Sequence, residues 1–183
     1  YRGEIARLIA ADMAANGGFV GSADLATVRI PEIAPLRGSY RGATTFSFPP
    51  PGAGAEVLMA LNILENFPSS FFAGTSPEQL QVLVEAFRIA NADFSELTSS
   101  PIAWTLHGAA YLTDEHARQR AALITPGSAT TGGELQSQRA KSVLGEHTTH
   151  VSVADRHGNV VSLTQTLCRQ YGSKVATPGL GFP

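Results

Sequence analysis

Two threonines in this 183-residue chain, Thr148 and Thr166, have the residue type and spacing that acyl-transfer chemistry requires. Thr148 heads the alternating run Thr148-Thr149-His150-Val151-Ser152-Val153-Ala154-Asp155, which leads through Arg156-His157-Gly158-Asn159 into a second alternating stretch ending at Thr166. Strand-like alternation on both sides of a Gly-Asn turn predicts a β-hairpin, expected to be buried and catalytic. With residues 156–159 as the loop, Asp155 pairs with Val160 and Thr148 falls opposite Leu167, within one residue of Thr166. A bulge or a change of loop length moves this register by one position and flips faces. Thr149, Val151 and Val153 are then on one face, and His150, Ser152 and Ala154 on the other.

Such a hydroxyl pair suits a nucleophile that works twice. The Thr148 hydroxyl attacks the carbonyl of His147 in an N-to-O acyl shift, and hydrolysis of the ester frees Thr148 as a new N-terminus. An α-amino group has a reference pKa of about 7.7 to 8.0, so the freed amine can serve as general base for its own hydroxyl. The alternative is an ordinary hairpin, because threonine is a good strand residue. Spacing alone leaves both readings open.

Other candidates point elsewhere. His147 and His150, three apart on a strand, project to opposite faces, so no metal site is expected. Cys168 is the single cysteine; it rules out an internal disulfide and reads as a small buried filler. Gly52-Ala53-Gly54-Ala55 precedes a helix, but no Lys-Ser/Thr pair follows to make a phosphate loop. His107, His116 and His157 read as surface or hydrogen-bonding residues, Asp93 as a solvated or structural charge on the helix with Arg88, and Trp104 and Tyr111 as core. A net charge of −2 with dispersed acids and bases argues against nucleic acid as a partner. No apolar run approaches the roughly 20 residues that span a bilayer.

These residues must be positioned by the elements around them. Apolar spacing predicts a helix over 3–15 stopped by Asn16-Gly17-Gly18, a short helix from Ser22 to Val28, and two strands within 36–48 about Arg41-Gly42. Three prolines, Pro49 to Pro51, end the second strand. Helices follow over 56–67, after a Ser76–Gln79 capping box with Leu80, Val84 and Phe87 on one side, from Pro101 through Tyr111, and from a Thr113 cap through Leu123. Residues 125–147, rich in Gly, Ser and Thr, read as an exposed or mobile linker. Helices followed by a strand pair predict an α+β or layered α/β fold. A start at Tyr1 and an end within the turn at Gly179-Leu180-Gly181 lead us to expect a piece of a longer protein.

At these residues the sequence resembles the γ-glutamyltranspeptidase (glutathione hydrolase) family of the N-terminal nucleophile hydrolase superfamily. Thr148 to Val153, Asp155, Gly158-Asn159, Ser162 to Thr166, Tyr171-Gly172-Ser173 and Pro178 to Gly181 follow the start of that family's small subunit in order and spacing. Asp24-Leu25-Ala26, Gly38 to Gly42, Pro49 to Pro51 and Leu61 to Glu65 resemble its large subunit. The resemblance implies a partial four-layer αββα sandwich. It assigns 1–147 to the C-terminal part of the large subunit and 148–183 to the N-terminal part of the small one.

It further implies cleavage between His147 and Thr148, Thr148 as nucleophile, and Thr166 as its hydrogen-bonding partner. The activity implied is a self-processing γ-glutamyl transferase and hydrolase, using water or an amine as acceptor and no cofactor, in a periplasmic or secreted location. Two departures qualify this. Cys168 stands where many members hold the substrate with an asparagine, and Gly52 to Ala55 lacks the family's serines. Both keep open an amidase of the cephalosporin-acylase kind, or a non-processing scaffold. The resemblance also places the substrate-gripping arginine before Tyr1 and the oxyanion-hole glycines after Pro183, so these 183 residues alone are expected to be inactive.

Overall fold

A computed structural model describes residues 1–100, 102–129, 148–167 and 171–181. Its elements, in order, are α1 (Glu4–Ala15), α2 (Ser22–Thr27), β1 (Leu36–Tyr40), β2 (Ala43–Ser47), α3 (Gly54–Leu64), α4 (Pro77–Leu97), α5 (Ala103–Tyr111), α6 (Asp114–Ala121), β3 (Thr148–Ala154) and β4 (Val160–Thr166). Helices with two antiparallel two-stranded ladders, β1-β2 and β3-β4, give the expected α+β class. The chain divides into two compact units, one of Tyr1–Glu32 with Ser142–Pro183 and one of Ile33–Lys141.

In the Ile33–Lys141 unit, α3 and α4 build the core. Ala55, Met59, Ala60, Ile63 and Leu64 of α3 bury against Val82, Ala86, Ile89, Ala90 and Leu97 of α4, with Ala121 and Ile124 joining the cluster. The glycine-rich entry to α3 is a close approach of backbone: a Cβ on Gly54 would lie 2.2 Å from the Phe48 carbonyl oxygen. Arg41 (φ 51°) and Gly42 (φ 80°) make the left-handed turn between β1 and β2. The same Arg41 stops α3, its Nη2 donating to the Leu64 and Phe67 carbonyls at 3.1 and 2.7 Å, where a cation complements the helix dipole. The capping box at the head of α4 forms as expected, Ser76 N donating to Gln79 Oε1 at 2.6 Å and Gln79 N to Ser76 Oγ at 3.3 Å.

The orientation of α4 departs from the apolar pattern. Leu80, Val84 and Phe87 are exposed, by 54, 56 and 39 %. The side that packs presents Val82, Ala86, Ile89, Ala90 and Leu97 and carries two buried acids, Glu85 and Asp93. Of the two readings of Asp93, a solvated or a structural charge, the structural one holds, and Asp93 does not pair with Arg88. It is 4 % exposed, receives Arg120 Nε and Nη2 at 3.0 and 2.7 Å, and lies 2.7 Å from His116 Nε2. Arg88 pairs with Glu85 instead, at 2.8 Å. Two side chains from α6 thus grip one buried carboxylate on α4, and Tyr111 stacks on His116 with ring centroids 4.7 Å apart. Burial, reinforced by the Glu96 and Asp93 carboxylates, pushes the Tyr111 phenol above its ordinary pKa.

Of the segment expected to be a linker, residues 125–129 are described and exposed. They close a turn, Thr125 bridging Ser128. Gln81 of α4 holds that turn, accepting from Gly127 N at 3.1 Å and donating to the Ser128 carbonyl at 2.8 Å.

In the other unit, Gly17 at φ 73° follows α1 as the predicted glycine stop. Asp12 of α1 accepts a hydrogen bond from Thr177 Oγ1 at 3.1 Å, which ties the helix to the chain beyond the β3-β4 hairpin.

Candidate active site

The hairpin forms with a register one residue away from expectation. Ala154 pairs with Val160, and Thr148 stands directly opposite Thr166 rather than Leu167. The cause is the turn, which holds five residues instead of four. Asp155 N donates to the Asn159 carbonyl and Gly158 N to the Asp155 carbonyl, with Gly158 at φ 86°. This is the three-residue hairpin loop with a left-handed glycine bulge. The Asp155 carboxylate fastens it, accepting from His157 N at 2.8 Å, Asn159 N at 2.9 Å and Asn159 Nδ2 at 2.7 Å.

Those hydrogen bonds hold the Asp155 carboxyl below the usual aspartate range, the Asn159 side-chain amide contributing most. A depressed folded-state pKa means the ionised form stabilises the turn. That contribution is complete above the ordinary value of about 3.9 and is lost as pH falls through the lower folded value. Exchange of the His157 and Asn159 amides, taken relative to their intrinsic rates, should therefore accelerate below about pH 4, and Asp155→Asn should show the faster exchange already at neutral pH. Exchange in the variant that matches the native chain at neutral pH contradicts this role.

The turn also sets the geometry of the threonines. Hydrogen-bonded and non-hydrogen-bonded pairs alternate along an antiparallel ladder, and side chains approach more closely in the latter. Counting outward from the hydrogen-bonded Asp155–Asn159 pair, Thr148–Thr166 falls on a non-hydrogen-bonded position. His150–Thr164 does so too, and there His150 Nδ1 lies 2.7 Å from Thr164 Oγ1. His150 Nε2 lies 3.1 Å from both Ser152 Oγ and Ser162 Oγ. One face of the hairpin is therefore a continuous array of hydroxyls around an imidazole, with the Thr148–Thr166 pair at its open end. The other face carries Val151, Val153, Val161 and Leu163.

The expected burial of this hairpin is not found. Every residue of β3 and β4 is exposed. The ladder has two strands only, so its apolar face has no third strand or second layer among the described residues. His147, on the acyl side of the expected cut, and Cys168 lie outside the described residues. The contacts of His150 with these hydroxyls were missed from the sequence, where its side chain was weighed only as a metal ligand. Its place between three hydroxyl residues on the paired strands was nevertheless written in the alternation.

A separate cavity of about 350 Å³ lies within the Ile33–Lys141 unit, lined among others by Arg37, Ser39, Asn62 and Asp114. It contains none of the expected site residues. Among the described residues no three metal-ligating side chains come together, and no helix is long and apolar enough to cross a membrane.

Comparison with known proteins places this geometry in context. The model of the family described as Gamma-glutamyltranspeptidase matches residues 1–183. The chain is 39 % identical over 185 residues to the Acylase ACY 1 proenzyme of Pseudomonas sp. (strain V22), covering 100 % of this chain and 32 % of that protein. It is 34 % identical over 183 residues to the Glutathione hydrolase proenzyme of Escherichia coli (strain K12), again covering 100 % of this chain and 32 % of the relative. It thus spans about a third of the length of these curated relatives. Among solved structures, the cephalosporin acylase from Bacillus halodurans superimposes with a TM-score of 0.71 at 28 % identity, over 100 % of this chain and 32 % of that one. Helicobacter pylori gamma-glutamyltranspeptidase gives 0.62 at 27 %, over 76 % of this chain and 40 % of that one. The chain belongs to the gamma-glutamyltranspeptidase family, and its α+β fold is of the N-terminal nucleophile hydrolase type.

Proposed function

We propose that the whole protein is a self-processing amide hydrolase and acyl transferase. In it, Thr148 first attacks the carbonyl of His147 and, once freed, attacks the γ-glutamyl amide of glutathione or a related compound. The observation that carries the reading is the Thr148–Thr166 pairing at a non-hydrogen-bonded position of β3-β4, which sets a second hydroxyl beside the nucleophile. The names of the relatives, which are proenzymes, support a precursor cleaved into two subunits.

In turnover the neutral α-amino group of Thr148 accepts the hydroxyl proton, and Thr148 Oγ1 bonds to the amide carbon. The same proton is handed to the departing amine. Water or an acceptor amine then releases the acyl group and restores the hydroxyl. The Thr166 hydroxyl orients the nucleophile throughout.

A second reading keeps the nucleophile and changes the acyl group. Identity to an acylase of 39 %, against 34 % to a glutathione hydrolase, favours it. So does Cys168 at the place of the family's asparagine. The two readings are separated by offering the full-length protein a γ-glutamyl anilide and an N-acyl cephalosporin in parallel. We expect faster turnover of the γ-glutamyl compound; faster turnover of the cephalosporin selects the acylase reading. A folded full-length protein that turns over neither, and stays in one piece, is a scaffold and contradicts both.

A further inference from the structure

We infer that His150 accepts the Thr148 hydroxyl proton during self-cleavage, acting through the hydroxyls of Thr166 and Thr164. The inference rests on the reading of Thr148 as the nucleophile of its own release. That reading leaves a chemical gap. Before cleavage the nitrogen of residue 148 is an amide, with no basic lone pair, so the amine that serves turnover does not yet exist. Another acceptor must stand near Thr148 in the uncut chain.

The face of the hairpin that carries Thr148 presents Thr148, His150, Ser152 and Ala154 from β3, and Val160, Ser162, Thr164 and Thr166 from β4. His150 is the one titratable side chain among them. The other ionisable groups of the hairpin, Asp155, Arg156 and His157, sit at the turn. There the Asp155 carboxylate is engaged by Asn159, and Arg156 Nε donates to His157 Nε2 at 3.1 Å.

The surroundings of the ring suit a proton acceptor. A neutral imidazole has one donor and one acceptor nitrogen, whereas a hydroxyl can play either part. Nδ1 faces Thr164 Oγ1 at 2.7 Å, and Nε2 faces Ser152 Oγ and Ser162 Oγ at 3.1 Å each. With Nε2–H donating to a serine, Nδ1 is left to accept from Thr164. When Nδ1 takes up a proton, Thr164 becomes the acceptor and no polar contact is lost. In that tautomer the lone pair of Nδ1 points toward the threonines.

The threonines and the histidine form a rectangle. Thr148–Thr166 is one rung and His150–Thr164 the next on the same face, two residues or roughly 6.6 Å along the strands. A chain of about two hydrogen-bonded waters spans such a gap. As Thr148 Oγ1 bonds to the preceding carbonyl carbon, its proton passes to Thr166, whose own proton moves through the waters and Thr164 to Nδ1. The C–N bond then breaks and the proton returns along the same path to the departing nitrogen, which becomes the free amine. Water hydrolyses the ester, leaving a carboxylate on residue 147 and a hydroxyl on Thr148. His150 touches no reacting atom and is a positioning residue in this step.

The test follows self-cleavage of freshly refolded full-length precursor between about pH 5 and 9, a range that includes the window in which histidines change charge. The native precursor should slow about tenfold per pH unit on the acid side of that window. His150→Asn, which can still hydrogen-bond the hydroxyls but does not titrate, should slow self-cleavage by about 10² or more and lose that acid limb. His150→Ala should be restored in part by imidazole added to the medium, which a purely structural loss would not show. Circular dichroism establishes that each variant is folded, and the Asn variant carries the test if the Ala variant is not. Folded variants that cleave with the native rate and acid limb overturn the assignment of His150 while leaving Thr148 in place. So does slow cleavage with an unchanged acid limb and no response to imidazole. A folded native precursor that is never cut before Thr148 overturns the nucleophile itself.

Discussion

Thr148→Ala in the full-length protein should leave one uncut chain and reduce amide turnover by on the order of 10⁴- to 10⁶-fold, the range seen when a hydrolase loses one member of its catalytic triad. The reason is positional as well as chemical. Thr148 is the first residue of β3, so a cut before it leaves the strand, its register and the facing Thr166 in place. Thr148→Ser keeps a hydroxyl at the same point and should still self-cleave, more slowly. Thr166→Ala removes the cross-strand hydroxyl but not the nucleophile. It should slow both self-cleavage and turnover by about 10- to 100-fold, the worth of one hydrogen bond to a developing charge. A precursor band quantified over time on a denaturing gel separates these three outcomes. Equal rates for Thr166→Ala and the native chain would remove Thr166 from the account.

The second large effect is on stability and lies in the other unit. Asp93→Ala should destabilise the Ile33–Lys141 unit by about 3 kcal/mol, at the lower end of what breaking a buried ion pair costs. Asp93 is 4 % exposed and is held by both Arg120 and His116, so its loss unties α6 from α4. The figure stays low in that range because the Arg120 side chain is 31 % exposed and can turn to water once released. Arg118→Ala is the control. Arg118 pairs with Glu115 at 2.6 Å with both side chains about two-thirds exposed, so its removal should cost less than Asp93→Ala. Urea midpoints of the two variants decide the matter, and an Asp93→Ala midpoint equal to that of the native protein would show that the ion pair is not what fastens α6.

The particular residues explain why some of this was legible in the sequence and some was not. Ser76–Gln79, Arg41-Gly42 and Asn16-Gly17 were readable because caps and left-handed turns depend on local backbone chemistry that one or two residue types satisfy. The face of α4 was misread because period alone ranks faces by apolar side chains. Leu80, Val84 and Phe87 compete with a side on which Val82, Ile89 and Leu97 are interspersed with Ala86, Ala90, Glu85 and Asp93. That side packs because small residues let α3 and α4 approach, while Asp93 finds its partners on α6, which sequence spacing does not reveal. The one-residue slip in the hairpin has a local cause that was within reach, since an aspartate four residues before an asparagine with a glycine between them can close a bulged loop. The exposure of the hairpin was not within reach, because the pattern of Val151, Val153, Val161 and Leu163 specifies a face to be covered and not what covers it. The alternation did place His150 with Thr148, and only the ring contacts to three hydroxyls gave that placement a chemical meaning.

The most direct measurement of the central claim is the N-terminal sequence of the small fragment released by folded full-length protein and separated under denaturing conditions. The account predicts Thr148-Thr149-His150-Val151-Ser152, with no such fragment from Thr148→Ala. An intact folded chain, or a fragment whose sequence starts at any other residue, contradicts it.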